Sequence, residues 1–273
     1  MRAGAAALTS AGVDSVDLVL LATTTPDHPC PATAPSVARA LGLDRVAAFD
    51  LSAVCTGFVY GLATAAGFLE TGVAQRVLLI GADTFSTILD PADRGTAAVF
   101  GDGAGAVVLR RGTADEPGAL LAFDLGSDGD LVDLITVRAG GSRYPLSVGQ
   151  VVTAEHRFAM QGRAVYRQAT RWMTASATAV LARSGWQAGE VDWFVGHQAN
   201  QRILDAVGRE LDIAPERVFV NVDRVGNTVA ASIPLALADA SASGVLRAGQ
   251  KVVLTAFGGG ITWGSAALTW PRL

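Results

Sequence analysis

A chain of 273 residues that is 50% hydrophobic and only 17% charged contains enough apolar material for a large buried core, which excludes a disordered, charge-rich protein. Its formal net charge of -4 argues against a general nucleic-acid binder, because phosphate contacts require an excess of Lys and Arg. Two cysteines are too few for a disulfide framework or a four-cysteine zinc site, and no apolar run reaches the roughly 18 residues of a membrane span, so we expect a soluble, cytoplasmic protein.

Short apolar runs rich in β-branched residues alternate along the chain with Ala-rich stretches, a pattern typical of β-α-β units on a largely parallel sheet. The predicted strands, in chain order, are residues 16–25, 46–51, 77–81, 97–100, 106–111, 118–125, 191–195, 218–222 and 252–256. The predicted helices are residues 31–41, 57–71, 162–183, 202–211 and 230–243. The sequence therefore predicts an α/β protein whose sheet is buried on both faces.

An internal repeat relates the two halves of the chain. Residues 45–55 overlay residues 217–227 without a gap, at an offset of 172. Repetition of this kind indicates duplicated supersecondary units, here of the βαβαβ type. Because the overlay pairs Cys55 with Asn227, we expect these two residues at equivalent strand-to-helix turns, one in each half.

The two copies differ in their beginnings. Residues 16–17 match residues 191–192 at an offset of 175, so small insertions separate the matching blocks. We place the first half at residues 1–117 and the second at 118–273. The second half has a predicted strand and a full helix before residue 191, whereas the first has only a short stretch before its first strand. We therefore expect a truncated start that lacks a strand and half a helix.

Cys55 lies between a predicted buried strand and a predicted buried helix. Backbone N–H groups and the helix dipole in the first turn of a helix stabilise an anion, so we expect a lowered thiol pKa and a nucleophile. The alternative is a small buried hydrophobic residue. The matched position of Asn227 and the small residues around the turn favour the nucleophile.

Two polar residues of the second half follow predicted strands, where ligands bind in open α/β sheets. His197 comes directly after the strand at 191–195, among polar neighbours that interrupt the apolar pattern; the alternative is a structural histidine. Asn227 precedes an Ala-rich stretch, where an asparagine either caps the helix or donates a hydrogen bond to a thioester oxygen. Its pairing with Cys55 favours the second role.

Two glycine-rich stretches also follow predicted strands. The glycines of residues 101–105 lead into another strand-like run, whereas a dinucleotide-binding fingerprint must open a helix, so a nucleotide site is disfavoured. The glycines of residues 258–260 allow a close backbone approach and an N–H directed at an oxyanion.

Six segments, in order and at consistent spacing, resemble β-ketoacyl-ACP synthase III over nearly the whole chain, from about residue 16 to residue 268. They are FDLSAVCTGF (49–58), DPADRG (90–95), FGDGAGA (100–106), GHQAN (196–200), GNTVAAS (226–232) and FGGGITWG (257–264). The resemblance implies a thiolase-like fold, with two pseudo-symmetric halves in a layered α-β-α-β-α arrangement.

The resemblance also implies a catalytic triad of Cys55, His197 and Asn227, with an oxyanion hole formed by the backbone N–H groups of Cys55 and Gly259. Enzymes of this family load an acyl group from CoA onto the cysteine and then use malonyl-ACP as a decarboxylating donor. His197 and Asn227 would hold the thioester oxygen while CO2 leaves. No metal or redox cofactor is implied, and the chain would form a homodimer.

Further residues take roles only by their match to the family's positions. The substrate-binding residues that the resemblance implies for the CoA and phosphopantetheine tunnel are Arg94, Met160, Gly162, Tyr166, Asn200 and Ile203. Arg167, Arg202 and Arg209 match basic residues that meet the acidic carrier protein; the alternative is that each is an ordinary solvated helix residue.

Three features depart from the family pattern. The N-terminal segment that clamps the CoA adenine has no counterpart, and the strand missing there is expected to be central in its sheet. Arg163 replaces a smaller polar residue of the tunnel. Cys30 stands where many members carry a larger residue at the far end of the acyl pocket, which implies a wider pocket.

Several alternatives stay open. An acyltransferase of the same fold would pass the acyl group to an alcohol or amine, although such relatives tend to alter the triad. A degradative thiolase would need a second cysteine near the C-terminus, and residues 252–273 contain none. A catalytically silent subunit would be expected to lack Cys55, and a truncated start leaves an inactive form open. The resemblance leaves open both the primer and the choice between fatty-acid and polyketide biosynthesis.

Overall fold

The computed structural model describes residues 1–147 and 149–273, which form two four-stranded sheets and one short hairpin. The elements of the first half are α1 (Arg2–Ala11), β1 (Leu18–Ala22), α2 (Ala34–Ala40), β2 (Ala47–Leu51), α3 (Gly57–Glu70), β3 (Arg76–Asp83), α4 (Arg94–Ala97) and β4 (Gly103–Arg110). Those of the second half are β5 (Leu120–Ser127), β6 (Ile135–Val137), β7 (Phe158–Met160), α5 (Gly162–Ser184), β8 (Trp193–Gly196), α6 (Gln201–Glu210), α7 (Val222–Val225), α8 (Ser232–Ala242), β9 (Lys251–Gly258) and β10 (Thr262–Thr269).

The two large sheets share a three-strand unit, β1-β3-β4 in the first and β8-β9-β10 in the second, with a parallel pair followed by an antiparallel pair. The first has the order β2-β1-β3-β4, in which only β4 is antiparallel to its neighbour, and the second has the order β5-β10-β9-β8, in which β8 and β9 are parallel. Leu18 pairs with Val77 in the first sheet, and Trp193 pairs with Val252 in the second, 175 residues later in both cases. All five residues of β1 are buried, as expected for a parallel strand covered on both faces.

Helices cover both faces of each sheet. Helices α3 and α8 lie between the two sheets, α1 and α2 pack on the outer face of the first, and α5 packs with α6 on the outer face of the second. Apolar side chains from both sheets and both central helices form the main core, among them Leu20, Phe58, Leu237 and Leu254. The predicted α-β-α-β-α arrangement of the thiolase-like fold is confirmed. The boundary at residues 117 and 118 stays a prediction.

Two predicted strands are wrong. Residue 97 is instead the last residue of helix α4, which forms because the Asp93 side chain caps its start by accepting the Gly95 N–H at 2.9 Å. At residues 218–222, only Val218 bridges to the neighbouring strand. The chain then leaves the sheet because the Asn221 N–H donates to a buried side chain, that of Gln198, at 2.9 Å.

The two halves contain the same tight turn before their central helices. A 3-10 turn at Val54–Thr56 leads into α3, and a 3-10 turn at Val229–Ala231 leads into α8, 175 residues later. Both turns begin with a valine in the left-handed region, with φ values of 48° and 54°. The structural counterpart of Cys55 is therefore Ala230, and the predicted equivalence of Cys55 with Asn227 is wrong. The ungapped overlay fails because α7 lies between the Val218 bridge and the second turn.

The first strand of the second half, β5, lies at the edge of its sheet beside β10. The central position expected for the corresponding strand of the first half stays a prediction, against which the place of β5 argues. In the described part of the chain, no helix is long and apolar enough to cross a membrane.

The close approach of β3 to the second turn depends on Gly81. A Cβ at this position would lie 2.3 Å from the backbone oxygen of Ala230, so we expect Gly81→Ala to lower the free energy of unfolding by about 1–3 kcal/mol. Gly67→Ala is the matched control, because nothing lies within 4 Å of its added Cβ and it should stabilise helix α3 by about 0.5–1 kcal/mol. Urea unfolding measures both, and equal stability of the two variants would contradict this packing argument.

Candidate active site

The first turn holds Cys55 at the start of α3. The residue is only 8% exposed, and the end of β9 passes so close that a Cβ at Gly258 would lie 3.0 Å from the Cys55 nitrogen. The next hydroxyl, that of Thr56, donates to the Ala53 carbonyl at 2.6 Å and lies 2.8 Å from the Thr262 hydroxyl. The Cys55 backbone is thus fixed between the turn and the glycine end of β9.

His197 follows the carboxyl end of β8, as the sequence predicts. Its N–H donates to the Thr255 carbonyl at 2.8 Å, and its side chain is buried. The adjacent Gln198 is fully buried. Its side chain forms hydrogen bonds with the backbone of Gly196, at the end of β8, and with the backbone of Phe219 and Asn221, which follow the Val218 bridge. His197 is therefore held by a loop whose polar groups are bonded internally.

Asn227 combines the two roles that the sequence left open. Its Oδ1 accepts the Val229 N–H at 3.0 Å, which caps the second turn and leaves the Nδ2 group to donate elsewhere. Its backbone is tied to a neighbouring loop at both ends, through the Val99 carbonyl at 2.8 Å and the Gly101 N–H at 2.9 Å. The amide is therefore fixed in orientation.

Cys55, His197 and Asn227 line one narrow cavity between the two halves of the fold. The rest of its wall is almost entirely apolar and comes from residues Val54, Phe85, Phe100, Ile135, Phe158, Met160, Val165, Ala169, Met173, Ala199, Ile203 and Phe257. A thiol, an imidazole and an amide donor thus share a space that offers no other charged or strongly polar side chain.

Burial determines the protonation states in this cavity. It raises the pKa of the Cys55 thiol, to which the negative charge of Asp83 adds, and these effects outweigh the backbone hydrogen bond that lowers it. The sequence-based expectation of a lowered thiol pKa is therefore wrong. Burial also lowers the pKa of His197 to about 3. The resting site holds a neutral thiol beside a neutral imidazole, whose Nδ1 has no hydrogen-bond partner among the described residues.

The other predicted site residues are distributed over several places. Met160 and Ile203 line the cavity, whereas Gly162 begins α5 above it. Gly259 is buried at the end of β9 against Ile135, one residue beyond the glycine that contacts Cys55. Asn200 caps α6 by accepting the Arg202 N–H at 2.9 Å, which accounts for its residue type without a ligand.

Apart from Cys55, His197, Asn227, Met160 and Ile203, the predicted site residues do not line this cavity. Tyr166 and Arg167 lie in a separate open groove on α5, together with Arg171 and Glu210. Arg94 is exposed on α4, and Cys30 is exposed as well. Arg163, noted as a departure from the family pattern, is exposed on α5.

Sequence reasoning missed an aromatic cluster at the floor of the cavity. Phe85 and Phe100 stack, and Phe158 packs edge-on against both, with ring centroids 4.7–5.0 Å apart. Phe100 belongs to a quoted motif and Phe85 lies two residues after the end of β3, so an aromatic residue close to a strand end was the available signal. Phe158 had none, because the hairpin of β6 and β7 was not predicted. Within the described residues, no cluster of three or more His, Cys, Asp or Glu could hold a metal ion.

Comparisons with known proteins agree on one family. The family model described as 3-Oxoacyl-[acyl-carrier-protein (ACP)] synthase III matches residues 49–129, and its C-terminal counterpart matches residues 181–270. A β-ketoacyl-[acyl-carrier-protein] synthase III of Streptomyces coelicolor is 59% identical over 273 residues, covering all of this chain and 82% of that protein.

Solved structures show the same relation. The crystal structure of 3-oxoacyl-(acyl carrier protein) synthase III, FabH, from Pseudomonas aeruginosa PAO1 matches with a TM-score of 0.92 and 56% identity, over 100% of this chain and 82% of that one. The priming β-ketosynthase of the R1128 polyketide biosynthetic pathway matches with a TM-score of 0.87 and 31% identity, over 97% and 78% of the two chains.

The lowered pKa of His197 makes folding stability depend on pH. Because the unfolded histidine binds a proton near pH 6.5 and the folded one only near pH 3, stability is complete above pH 6.5 and decreases as the pH falls below it, by up to about 1.4 kcal/mol per pH unit. Urea unfolding of the wild type and His197→Gln at pH 7, 6 and 5 should show a smaller pH dependence in the variant. His28→Gln, which removes an exposed histidine, is the control; equal slopes in all three proteins would contradict the prediction.

Proposed function

The chain belongs to the 3-oxoacyl-ACP synthase III family, and from this relation we propose that it joins an acyl-CoA primer to malonyl-ACP through an acyl-Cys55 intermediate, giving a 3-oxoacyl-ACP. It is an enzyme of the acyltransferase type with a thiolase fold, and its family works on CoA and ACP thioesters without a further cofactor. The observation that carries the proposal is the convergence of Cys55, His197 and Asn227 on one buried cavity.

In the loading step, the Cys55 sulfur attacks the carbonyl carbon of the acyl-CoA thioester. Because the resting thiol and imidazole are both neutral, we place the transfer of the thiol proton to His197 in the same step as the attack. The backbone N–H groups of Cys55 and Gly259 would stabilise the oxyanion. The carbon–sulfur bond to CoA then breaks, and CoA leaves as the thiol with the proton from His197.

In the condensation step, malonyl-ACP loses CO2, and the electron pair of the broken bond becomes an enolate. The thioester oxygen that gains the charge would be held by the imidazole of His197 and the Nδ2 group of Asn227, whose Oδ1 is already occupied. The enolate carbon attacks the acyl carbonyl, the bond to the Cys55 sulfur breaks, and the thiolate takes up one proton from solvent, which is the proton that the condensation consumes. The apolar wall favours release of the uncharged CO2 from a carboxylate that it solvates poorly.

The open groove on α5 supports a docking role for the carrier protein. Arg163, Arg167 and Arg171 are exposed at four-residue spacing on one face of α5, and Arg202 and Arg209 are exposed on α6. No ion pair within the described residues engages Arg167, Arg202 or Arg209, so their charges are available to an acidic partner. We therefore retain these three residues as the proposed docking surface for ACP.

A role for Cys30 depends on assembly. Its side chain is exposed in its own chain and absent from the cavity wall, so it can close an acyl pocket only if a second subunit brings it there. The proposed homodimer, which the family resemblance implies, is therefore a condition for the proposed pocket role of Cys30. A cytoplasmic location stays a prediction.

The two half-reactions should separate when single members of the triad are removed. Cys55→Ala should abolish acyl labelling by acyl-CoA, measured by mass spectrometry of the intact protein. Asn227→Ala should still label, but its decarboxylation of malonyl-ACP should fall about 100- to 1000-fold, because one oriented donor to the enolate is lost. His197→Ala should slow both half-reactions, since the thiol pKa is raised.

Decarboxylation of malonyl-ACP is measured as the loss of radiolabel from its carboxyl group. Asn200→Ala is the matched asparagine control, because the Asn200 side chain caps α6. Wild-type decarboxylation by Asn227→Ala would refute the triad and, if Cys55 still loads, would favour transfer to an alcohol or amine.

Charge reversal on the docking surface should weaken recognition of ACP without changing the chemistry. We expect Arg167→Glu and Arg202→Glu each to raise the KM for malonyl-ACP at least about fivefold, since a rim charge mainly affects the association rate, while kcat with malonyl-CoA stays near the wild-type value. Arg247→Glu is the charge-matched control, because Arg247 is exposed outside this surface. A KM for malonyl-ACP that equals that of the control would argue against the surface.

A further inference from the structure

Asp83 is a buried acidic residue that the proposed reaction does not use. It ends β3, is only 3% exposed and forms no ion pair within the described residues. Four donors converge on its carboxylate instead. They are the Thr24 N–H at 2.7 Å, the hydroxyls of Thr25 and Thr23 at 3.2 and 3.3 Å, and the Ala230 N–H at 3.0 Å. Such a set of donors stabilises the ionised form against the burial that raises its pKa.

The two oxygens of Asp83 connect different parts of the molecule. Oδ1 takes the three donors that follow β1, whereas Oδ2 takes only the Ala230 N–H, which belongs to the turn of the other half. The first connection is local to one sheet. The second joins residues 147 apart in the chain and fixes the second turn against the end of β3.

That turn also holds Asn227. The Val229 N–H donates to Asn227 Oδ1, and the next N–H, that of Ala230, donates to Asp83. Val229 has a φ of 54°, a conformation that a β-branched residue adopts only when its surroundings enforce it. The hydrogen bond from Ala230 to Asp83 is one of the contacts that enforces it, so the orientation of the Asn227 amide depends on the carboxylate.

The internal repeat shows that this carboxylate is a specific feature of the second turn. Asp83 ends β3 as Gly258 ends β9, and Ala230 corresponds to Cys55, both 175 residues apart. In the second turn the Ala230 N–H donates to the Asp83 carboxylate, whereas in the first turn the Cys55 nitrogen lies beside Gly258, which has no side chain to accept a hydrogen bond. The turn without a carboxylate carries the Cys55 thiol, and the turn bonded to Asp83 supports the Asn227 amide.

We propose that Asp83 is a positioning residue for the condensation step, which fixes the turn at Val229 and thereby aims the Nδ2 group of Asn227 into the cavity. The inference rests on the proposed function of Cys55, His197 and Asn227 and adds a residue to it. Asp83 itself lies outside the cavity wall and touches no reacting group.

Asp83→Asn tests the proposal with almost no change in shape. Each carboxylate oxygen faces a backbone N–H, so one of the two must meet the amide NH2 group of the variant. Because three donors surround the Oδ1 position, we expect the amide oxygen of the variant to lie there and its NH2 group to lie at the Oδ2 position. The Ala230 N–H then loses its acceptor. We expect acyl loading of Cys55 to be no slower than in the wild type, because the variant also removes the charge of Asp83 that adds to the raised thiol pKa. Decarboxylation of malonyl-ACP should be at least about tenfold slower, as for a misplaced donor.

A double-mutant cycle separates positioning from general destabilisation. In the Asn227→Ala background, Asp83→Asn should change decarboxylation by less than about twofold, because the group that it positions is gone. The same factor in both backgrounds would overturn the proposal. Asp50→Asn is the matched control: Asp50 lies one residue before the end of β2 and likewise accepts two N–H groups, those of Thr33 and Ala34 at 2.7 Å, but it supports α2, outside the cavity.

A second variant covers the case in which Asp83→Asn does not fold. Replacing Ala230 by its α-hydroxy acid analogue exchanges the peptide N–H for an ester oxygen and keeps every side chain, and the same separation of half-reactions is expected. Wild-type decarboxylation by this variant would overturn the proposal.

A crystal structure of Asp83→Asn, or of the ester variant, tests the proposal without any activity. The Asn227 amide should be displaced or rotated; an amide that keeps its wild-type place would overturn the proposal. If the wild type neither loads nor decarboxylates, the proposed function fails, and this structural comparison still decides the role of Asp83.

Discussion

The site depends on two 3-10 turns that pack against each other, each of which begins with a valine whose backbone lies in the left-handed region. Val54 and Val229 each begin a 3-10 turn that leads into a central helix, and each has a φ that a β-branched residue avoids. The turns persist because their surroundings leave no alternative: β3 and β9 approach them so closely that Gly81 and Gly258 have no space for a Cβ. Strain of this kind is typical of functional sites, where packing enforces it.

The two turns then differ in what their N–H groups meet. The turn of Ala230 is closed by the Asp83 carboxylate, whereas the corresponding turn of Cys55 faces a glycine. Of the two equivalent turns, that of Cys55 thus has no carboxylate among the described residues bonded to its N–H group, and that of Ala230 is held by the Asp83 carboxylate. The cavity takes its thiol from one half and its imidazole and amide from the other.

Burial gives the site its chemical character. The cavity wall is apolar apart from three side chains, so both ionisable groups in it stay neutral in the resting protein. In the proposed mechanism, the neutral imidazole therefore accepts a proton from the thiol only as the new bond to sulfur forms, and the amide donates to the enolate with little competition from water. The aromatic floor of Phe85, Phe100 and Phe158 maintains this environment.

The sequence by itself determined the fold class, most of the elements and the three polar residues of the cavity. Hydrophobic periodicity and six spaced motifs are local signals, and they identify buried strands, central helices and the residues at strand ends without knowledge of contacts. Local signals were misinterpreted at residues 97–100, where the Asp93 cap begins a helix that ends at residue 97, and at the internal repeat, where the insertion of α7 broke the ungapped match between the halves. They failed at residues 218–222 because a distant side chain, that of Gln198, accepts the Asn221 N–H and only Val218 bridges to the sheet.

Only the tertiary structure decided that Cys55 corresponds to Ala230, that burial raises the thiol pKa, and that Asp83 supports the turn of Asn227. Each of these depends on groups far apart in the chain. Their distances and desolvation exist only once the two halves pack together.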